Sequence, residues 1–196
     1  MSIKFKEYFK QVTSESVKTK NKLLESEDVI QMIQNFSDIS LNTLEDGGKI
    51  IFAGNGGSFA DAQHLSAEFT SRFLFDRSPL ASVALGTNSS SMSAIGNDYG
   101  YENVFSRELE AIGRAEDLFV PITTSGNSKN IIDAVKVANE KEIKTICLTG
   151  SNQALINDLC DCICVPSTDT ARIQECHILI GHIVCGFVEN QFFKNP

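Results

Sequence analysis

The first 44 residues place apolar side chains at the spacing of α-helices. No proline or glycine occurs between Ser2 and Leu44, and apolar residues recur there every three or four positions. Ser26 and the two acidic residues after it are typical of a helix start, and Gly47-Gly48 is typical of a helix end. The pattern therefore predicts two long helices within residues 1–46.

The rest of the chain alternates short apolar runs with helical stretches. Runs that are apolar throughout are typical of parallel strands buried on both faces and joined by helical crossovers. A length of 196 residues suffices for one such domain. We therefore predict a single α/β domain over residues 1–196, with three α/β/α layers and a five-stranded parallel sheet in a doubly wound core over 47–196. The predicted strands are KIIFAG, SVAL, LFVPIT, KTICLT and DCICVP, and the clearest helices run from Ser58 to Phe73 and from Asn127 to Glu140.

The predicted helices exceed what one small sheet can cover. The segment from Thr170 to Phe193 is apolar around much of its helical surface, which is typical of a helix buried within the chain or between subunits. Together with the long N-terminal helices, this segment predicts an oligomer whose helices pack across chains.

Composition narrows the range of functions. A net charge of −8 without a Lys/Arg cluster argues against a nucleic-acid-binding protein. The apolar runs are too short for a membrane span, and no apolar signal region follows Lys4 and Lys6, so we expect a cytoplasmic protein with no membrane partner. Cys160, Cys162 and Cys164 alternate along one strand, which favours reduced core cysteines over a cysteine metal site.

Two polar loops each follow a predicted strand and precede a predicted helix, where ligands bind in open α/β sheets. In the first, Gly54–Ser58, glycines allow close backbone approach, Ser58 can cap the helix, and free N–H groups suit an anion or a polyhydroxy group. The order GxGxxG is absent, which argues against NAD. A glycine turn without a ligand remains the alternative.

The second loop, Thr123–Ser128, carries four hydroxyl groups at a helix start. Hydroxyls and helix amides can hold a phosphate monoester without a lysine. Because the lysine of a nucleotide-binding P-loop is missing, a small phosphorylated metabolite is favoured over a nucleoside triphosphate. A serine-rich helix cap is the alternative, but two such loops in one sheet favour a shared site.

A third candidate group consists of histidines, a glutamate and a glutamine on two predicted helices. His64 and Glu68 lie four residues apart, on one helix face. Gln174 and His182 are separated by about 80° around the last predicted helix, whereas His177 falls on the other side of Gln174, where we expect a core or supporting role. The set suits either acid/base catalysis or a divalent metal, and spacing does not choose between them. His64 alone is also compatible with a solvated or core histidine.

Asn97 and Asp98 form a fourth feature, within AIGNDYGYE. The neighbouring glycines predict a turn, and an acidic loop beside a sugar site would equally hydrogen-bond hydroxyl groups. Both interpretations stay open.

Four segments together resemble the phosphoheptose isomerases, members of the sugar isomerase (SIS) domain superfamily, and the resemblance runs nearly end to end. It implies a flavodoxin-like fold and conversion of sedoheptulose 7-phosphate to D-glycero-D-manno-heptose 7-phosphate. That reaction is the first step towards activated heptose for lipopolysaccharide, capsule or glycoprotein. The segments are GNGGSFADAQHLSAEFTSRF, SAIGNDYGYENVFSRELEAIG, TTSGNS and DTARIQECHILIGH.

The resemblance also implies roles for individual residues. Glu68 matches the general base and His182 the general acid, and zinc is implied at His64, Glu68, Gln174 and His182. It further implies homotetramers with active sites near subunit interfaces, which Arg72 would approach. The substrate-binding residues expected from the loops and the resemblance are Asn55, Gly56, Gly57, Ser58, Glu68, Asn97, Asp98, Thr123, Thr124, Ser125, Ser128 and Gln174.

The chain departs from the family pattern at two positions, and the second departure leaves the sub-class open. Thr123 replaces a serine that often begins the second loop, and Ala171 stands where some members carry an aspartate. The alternative function is that of a non-catalytic SIS tetramer that binds the bacterial replication initiator protein. Because such a scaffold needs no acid and base in a sugar pocket, Glu68 and His182 favour the isomerase. An amino sugar phosphate as ligand would require an amine or amide contact, which the sequence does not locate.

Overall fold

The computed structural model describes residues 4–194, so that Ser2 and Ile3 of the predicted first helix lie outside the described range. Seven helices and five strands follow one another along this range, with short 3₁₀ turns at Tyr101–Asn103 and Leu155–Asp158. In chain order they are α1 (Phe5–Leu24), α2 (Glu27–Glu45), β1 (Ile50–Gly54), α3 (Gly57–Thr70), β2 (Ser82–Ala84), α4 (Ser89–Tyr99), α5 (Val104–Ile112), β3 (Leu118–Ile122), α6 (Lys129–Glu140), β4 (Lys144–Gly150), β5 (Asp161–Val165) and α7 (Thr170–Phe192).

The two N-terminal helices are divided at the predicted residue. The hydroxyl of Ser26 accepts a hydrogen bond from the backbone N–H of Val29 at 3.4 Å and so caps α2. The C-terminal end of α2 is followed by Gly47 with a φ of 83°, a conformation that favours glycine. The prediction of both helices is confirmed for the described residues.

The sheet is parallel throughout, with strand order β2-β1-β3-β4-β5. This is the order of flavodoxin-like folds, in which ligands bind where the order reverses, between β1 and β3. Alternate strand residues face opposite ways: Ile50 and Phe52 pack with α1, α2, α3 and α7, whereas Ile51 and Ala53 pack with α5 and α6. The prediction of three layers and five parallel strands is therefore confirmed.

Helices α3 and α7 pack side by side on one face of the sheet and run in the same direction. A Cβ atom at Gly57 would meet Gln174, and a Cβ at Gly181 would overlap the side chain of Leu65, so the two contacts keep the same order along both helices. The absence of a side chain at position 181 lets the helices approach closely at mid-length. Helix α7 is largely buried, as its apolar pattern predicts.

All six cysteines are free thiols. Cys162 lies in the apolar layer that packs against α5 and α6, with Cys160 and Cys164 packed at its margin. Cys162 and Cys164 thus share one face of β5, and Cys160, just before the strand, packs against the same layer, as the alternation predicts. Among the described helices, none combines the length and hydropathy that a membrane span requires.

Candidate active site

The first loop leaves β1 and turns directly into α3. Gly56 occupies the position before the helix with a φ of 57°, so a glycine forms the N-cap. The expectation that Ser58 caps α3 is wrong, because Ser58 lies inside the first turn and is buried. Gly56 and Gly57 are exposed, which leaves the helix start open to a ligand.

The side chain of Asn55 connects this loop to the start of α6, the helix that follows the second loop. Its amide exchanges two hydrogen bonds of 2.9 Å with the amide of Asn130, which is buried in the first turn of α6. The hydroxyl of Tyr101 donates a third bond, of 3.0 Å, to Oδ1 of Asn55. Sequence reasoning missed both residues: Asn130 lies outside the four segments that resemble the family, and in AIGNDYGYE only Asn97 and Asp98 were considered, not Tyr101.

The hydroxyls of the second loop serve different purposes. Thr123 is buried, and its Oγ1 accepts the N–H of Gly126 at 3.2 Å, which closes the loop on itself. Ser125 accepts the N–H of Asn127 at 3.3 Å but remains exposed. Ser128 is the N-cap residue of α6, and within the described chain its hydroxyl makes no capping bond. Ser125, Ser128 and the half-buried Thr124 are therefore the hydroxyls that a ligand can reach.

His64, Glu68 and His182 form a compact group where α3 and α7 meet. The Nε2 atoms of the two histidines are 2.9 Å apart, and Oε1 of Glu68 lies 3.3 Å from Nε2 of His64. Their ligand atoms all lie within 4.8 Å of one another, and no second group of this kind occurs among residues 4–194. At this distance the two nitrogen atoms can share one hydrogen bond, in which one donates and the other accepts.

Gln174 lies on the same pair of helices but nearer their N-terminal ends. A Cβ atom at Gly57 would lie 2.5 Å from Nε2 of Gln174, which places the amide against the start of α3. Gly57 precedes His64 by seven residues, or about 10 Å along the helix. The described contacts of Gln174 therefore join it to the first loop, whereas those of His64 join it to Glu68 and His182.

Asp61 belongs to the same stripe of α3, three residues before His64. Its Oδ2 atom is buried and has no hydrogen-bond partner among the described residues. Burial raises the pKa of Asp61, and the nearby His64 partly opposes that rise. Sequence reasoning missed Asp61, although its spacing of three from His64 and seven from Glu68 would have placed it on their face.

Asn97 and Asp98 do not form a turn. They lie in the last turn of α4, which Asn88 caps at its start and which continues through Gly96 to Tyr99 before Gly100 ends it with a φ of 90°. The interpretation as a turn or acidic loop is wrong, because glycine at position 96 is accommodated within the helix at only a modest energetic cost. Both side chains are exposed beside a surface cavity of about 600 Å³, and Asn97 Nδ2 donates to Asp98 Oδ1 at 2.8 Å.

His177 is a core histidine, as its position on α7 predicts. It is fully buried, and its Nε2–H donates to the carbonyl oxygen of Thr149 at 3.2 Å. Burial lowers the pKa of His177 to about 4, an effect that this hydrogen bond only partly opposes. The ring is thus neutral at physiological pH and faces the sheet rather than His182.

Known proteins similar to this chain agree on one family. The model of the SIS domain matches residues 7–150. A phosphoheptose isomerase of Campylobacter jejuni is 51% identical over 187 residues, which cover 95% of this chain and 93% of that protein. One from Aneurinibacillus thermoaerophilus is 48% identical over 96% of both chains. The solved phosphoheptose isomerase of Neisseria gonorrhoeae superposes with a TM-score of 0.88 at 40% identity, over 95% of this chain and all of that one. The chain belongs to the phosphoheptose isomerases of the SIS domain family.

In this phosphoheptose isomerase, the ligand atoms of His64, Glu68 and His182 are of the types that bind a zinc ion. Zinc accepts imidazole nitrogen and carboxylate oxygen at 2.0–2.2 Å, so two ligand atoms in a tetrahedral site lie about 3.3 Å apart. Glu68 and His64 already have this separation, and the two histidines would need to separate by about 0.4 Å from the 2.9 Å observed.

The buried His177 predicts a specific loss of stability in acid. Its pKa lies below the ordinary value of 6.5, so the unfolded chain binds a proton that the folded chain does not, and stability falls as pH drops from 6.5 to about 4. The full loss is about 3 kcal/mol. Denaturant unfolding of wild type and His177→Gln across this range should show a shallower pH dependence in the variant; parallel curves would contradict the assignment.

A single methyl group at Gly57 is expected to disturb ligand binding. In Gly57→Ala the new Cβ overlaps the amide of Gln174, which must move, while the ordinary helical backbone at position 57 tolerates alanine. We expect KM for the sugar phosphate to rise about tenfold, the equivalent of one or two lost hydrogen bonds, with little change in melting temperature. Steady-state kinetics and calorimetry measure the two quantities. Ala60→Gly, at an exposed site one turn further along α3, is the control for altered helix propensity.

Proposed function

We propose that this chain interconverts sedoheptulose 7-phosphate and D-glycero-D-manno-heptose 7-phosphate. The observation that carries the proposal is the convergence of His64, Glu68 and His182 between two helices, one of which begins at the glycine loop. Moving a carbonyl between C1 and C2 requires a base for a carbon-bound proton and an acid for oxygen. A carboxylate and an imidazole within one group supply both.

We assign Glu68 as the base and His182 as the acid. Glu68 takes a proton from C1 of the ketose while His182 gives a proton to the oxygen on C2, which produces an enediol. Return of the carbon-bound proton to C2 and removal of the proton on the C1 oxygen then yield the aldose. Each group ends the cycle in its starting state, so no co-reactant is consumed.

We propose that His64, Glu68, His182 and Gln174 hold one zinc ion in each subunit. When bound, the ion would polarise the sugar carbonyl and hydroxyl oxygens. The ligand role of Glu68 reduces its strength as a base, although a carboxylate that ligates through one oxygen keeps the other for proton transfer. For Gln174, ligation requires its amide to leave the start of α3 and turn along the helix pair.

The phosphate would bind at the second loop and the sugar hydroxyls at the first. We assign the phosphate to Thr124, Ser125, Ser128 and the amides at the start of α6, with Thr123 holding the loop closed. Asn55, Gly56 and Gly57 would contact hydroxyl groups, with the buried Ser58 supporting the backbone from behind. Asn97 and Asp98 are proposed as further hydroxyl contacts, because Tyr101, three residues after Asp98, donates a hydrogen bond to Asn55 of this loop.

We further propose that the chain acts as a cytoplasmic homotetramer, folded as one domain, whose product enters activated-heptose synthesis for lipopolysaccharide or capsule. Exposed aromatic residues on α1, namely Phe5, Tyr8 and Phe9, support burial against another copy. Exposed Arg72, just after α3, lies close enough in sequence to Glu68 for a neighbouring subunit to meet both.

A coupled assay with sedoheptulose 7-phosphate tests the activity and the metal together. The purified protein is assayed after chelation and again after addition of zinc, and we expect activity to be lost and then restored. Turnover that is insensitive to chelation would refute the metal and leave Glu68 and His182 as a metal-free pair. Without turnover in either state the isomerase proposal fails, and binding of the replication initiator protein becomes the function to test.

A further inference from the structure

An ion pair between Arg77 and Glu189 lies buried beside the His64–Glu68–His182 group. Nε of Arg77 is 2.8 Å from Oε1 of Glu189, and the two side chains are 3% and 1% exposed. Arg77 comes from the segment that follows α3, and Glu189 from α7, seven residues after His182. The pair thus joins the two helices that carry the candidate catalytic residues.

Arg77 also caps the C-terminal end of α3. Its guanidinium donates to the carbonyl oxygens of Glu68 at 2.7 Å, Phe69 at 2.6 Å and Ser71 at 3.0 Å. The first two carbonyls belong to the last turn of α3, where the helix itself provides no donors, and the third belongs to Ser71, which follows the helix. Arg77 therefore fixes the backbone of Glu68 directly.

Glu189 holds the segment after α3 from the other side. Its two carboxylate oxygens accept the N–H of Phe73 at 2.9 Å and of Leu74 at 2.6 Å, in addition to the bond from Arg77. The ring of Phe73 is stacked on the ring of His182, with centroids 5.3 Å apart and planes inclined by 23°. A single buried carboxylate thereby sets the position of the ring that packs on His182.

We propose that the Arg77–Glu189 pair is a positioning element for the isomerase site, holding Glu68 through its carbonyl and His182 through Phe73. This inference rests on the function proposed above, to which it adds two positioning residues that do not touch the substrate. The pair fixes base and acid relative to each other from behind, at the point where α3 ends.

A role in stability alone would not explain which backbone groups are hydrogen-bonded to Arg77 and Glu189. Buried ion pairs contribute little net stability compared with apolar residues of similar size, because both charges lose their hydration. Here the bonds of the pair terminate on the backbone of Glu68 and on the amide of Phe73. Removing one partner should therefore alter the geometry of the site as well as the stability of the fold.

The test compares Glu189→Gln with Asp117→Asn as a matched control. Asp117 is likewise a buried carboxylate that accepts two backbone N–H groups, those of Lys49 and Arg114, and pairs with one cation, Lys49. None of these described contacts involves α3 or α7. The two variants therefore remove similar interactions, and only one of them touches the candidate site.

We expect Glu189→Gln to lower kcat about 10- to 100-fold with KM changed less than about twofold, because misplacement of catalytic groups acts mainly on the chemical step. In NMR spectra of the protein at one fixed pH, the ring signals of His182 should shift as the stacked Phe73 ring moves. Asp117→Asn should lower the melting temperature to a similar degree and leave kcat and the His182 signals unchanged. Phe73→Leu leaves the ion pair intact and should also shift the His182 signals. It is the variant to measure if Glu189→Gln does not fold.

Turnover and the NMR signals of His182 together separate this inference from the proposed function. Unchanged His182 signals in Glu189→Gln or in Phe73→Leu would overturn the positioning role, whatever the activity, because either result breaks the link from Glu189 through Phe73 to His182. An equal fall of kcat in Asp117→Asn would overturn it too, since general destabilisation would then explain the effect. If wild type does not turn over sedoheptulose 7-phosphate but the His182 signals shift in Glu189→Gln, the proposed function fails and the structural coupling stands.

Discussion

Replacing Glu68 by glutamine is expected to lower turnover of sedoheptulose 7-phosphate by about 10²- to 10⁴-fold, the usual contribution of a positioned general base. Glutamine keeps the shape of the side chain and one amide oxygen but cannot accept a proton from carbon. Fold and assembly should persist, because Glu68 is partly exposed and its carboxylate contacts His64 rather than the core. Steady-state kinetics together with size-exclusion chromatography measure both properties.

The matched control for this substitution is Glu140→Gln, at the exposed end of α6. It makes the same chemical change on the opposite side of the sheet and should retain full activity. Near-normal turnover in Glu68→Gln with an intact assembly would show that another group removes the proton. Solvent deuterium exchange at the carbon next to the carbonyl then distinguishes the two cases, since it reports proton removal even when product does not accumulate.

Replacing His182 by glutamine should have an effect of similar size, for two combined reasons. The variant loses the group assigned to protonate oxygen, which contributes about 10²- to 10⁴-fold. It also loses one of the three clustered ligand atoms, so zinc should bind more weakly. We expect a lower kcat at saturating zinc and a larger dissociation constant for zinc. Competition with a chromogenic chelator measures that constant.

His177→Gln provides the control on the same helix, five residues earlier. It removes a buried histidine that faces Thr149 rather than His64, and should change stability in acid while keeping zinc affinity and neutral-pH turnover. If His182→Gln bound zinc as tightly as wild type, His182 would not be a ligand. If it also kept its turnover, the assignment of the acid would be wrong.

Much of the fold follows from the spacing of apolar residues. Most positions of the five strands are apolar and buried, which leaves a strong signal, and Ser26 and Gly47 mark helix ends through local chemistry. Gly96 shows the limit of such rules. Turn-forming residues near Asn97 predict a break, yet α4, capped at its start by Asn88, continues through Gly96 until Gly100 ends it.

The candidate site was predictable where it depends on spacing within one element. His64 and Glu68 share a helix face by arithmetic alone, whereas the contact of His64 with His182 depends on α3 and α7 lying side by side in the same direction. Asn130 bonds to a residue 75 positions away, and Glu189 bonds to Phe73 across 116 positions. Partners so distant along the chain are brought together by tertiary packing, which no local pattern encodes.

The close approach of α3 and α7 at Gly181 has a consequence for the spacing of His64 and His182. Gly181 adjoins His182, and the side chain it contacts, Leu65, adjoins His64, so a position that carries no functional group determines how far apart the two imidazoles stand. A larger residue there would push the helices apart and widen the opening between the two nitrogens. For the zinc site proposed above, the distance between two of the ligands is therefore governed by a backbone contact, and a substitution at Gly181 would alter it without changing any ligand.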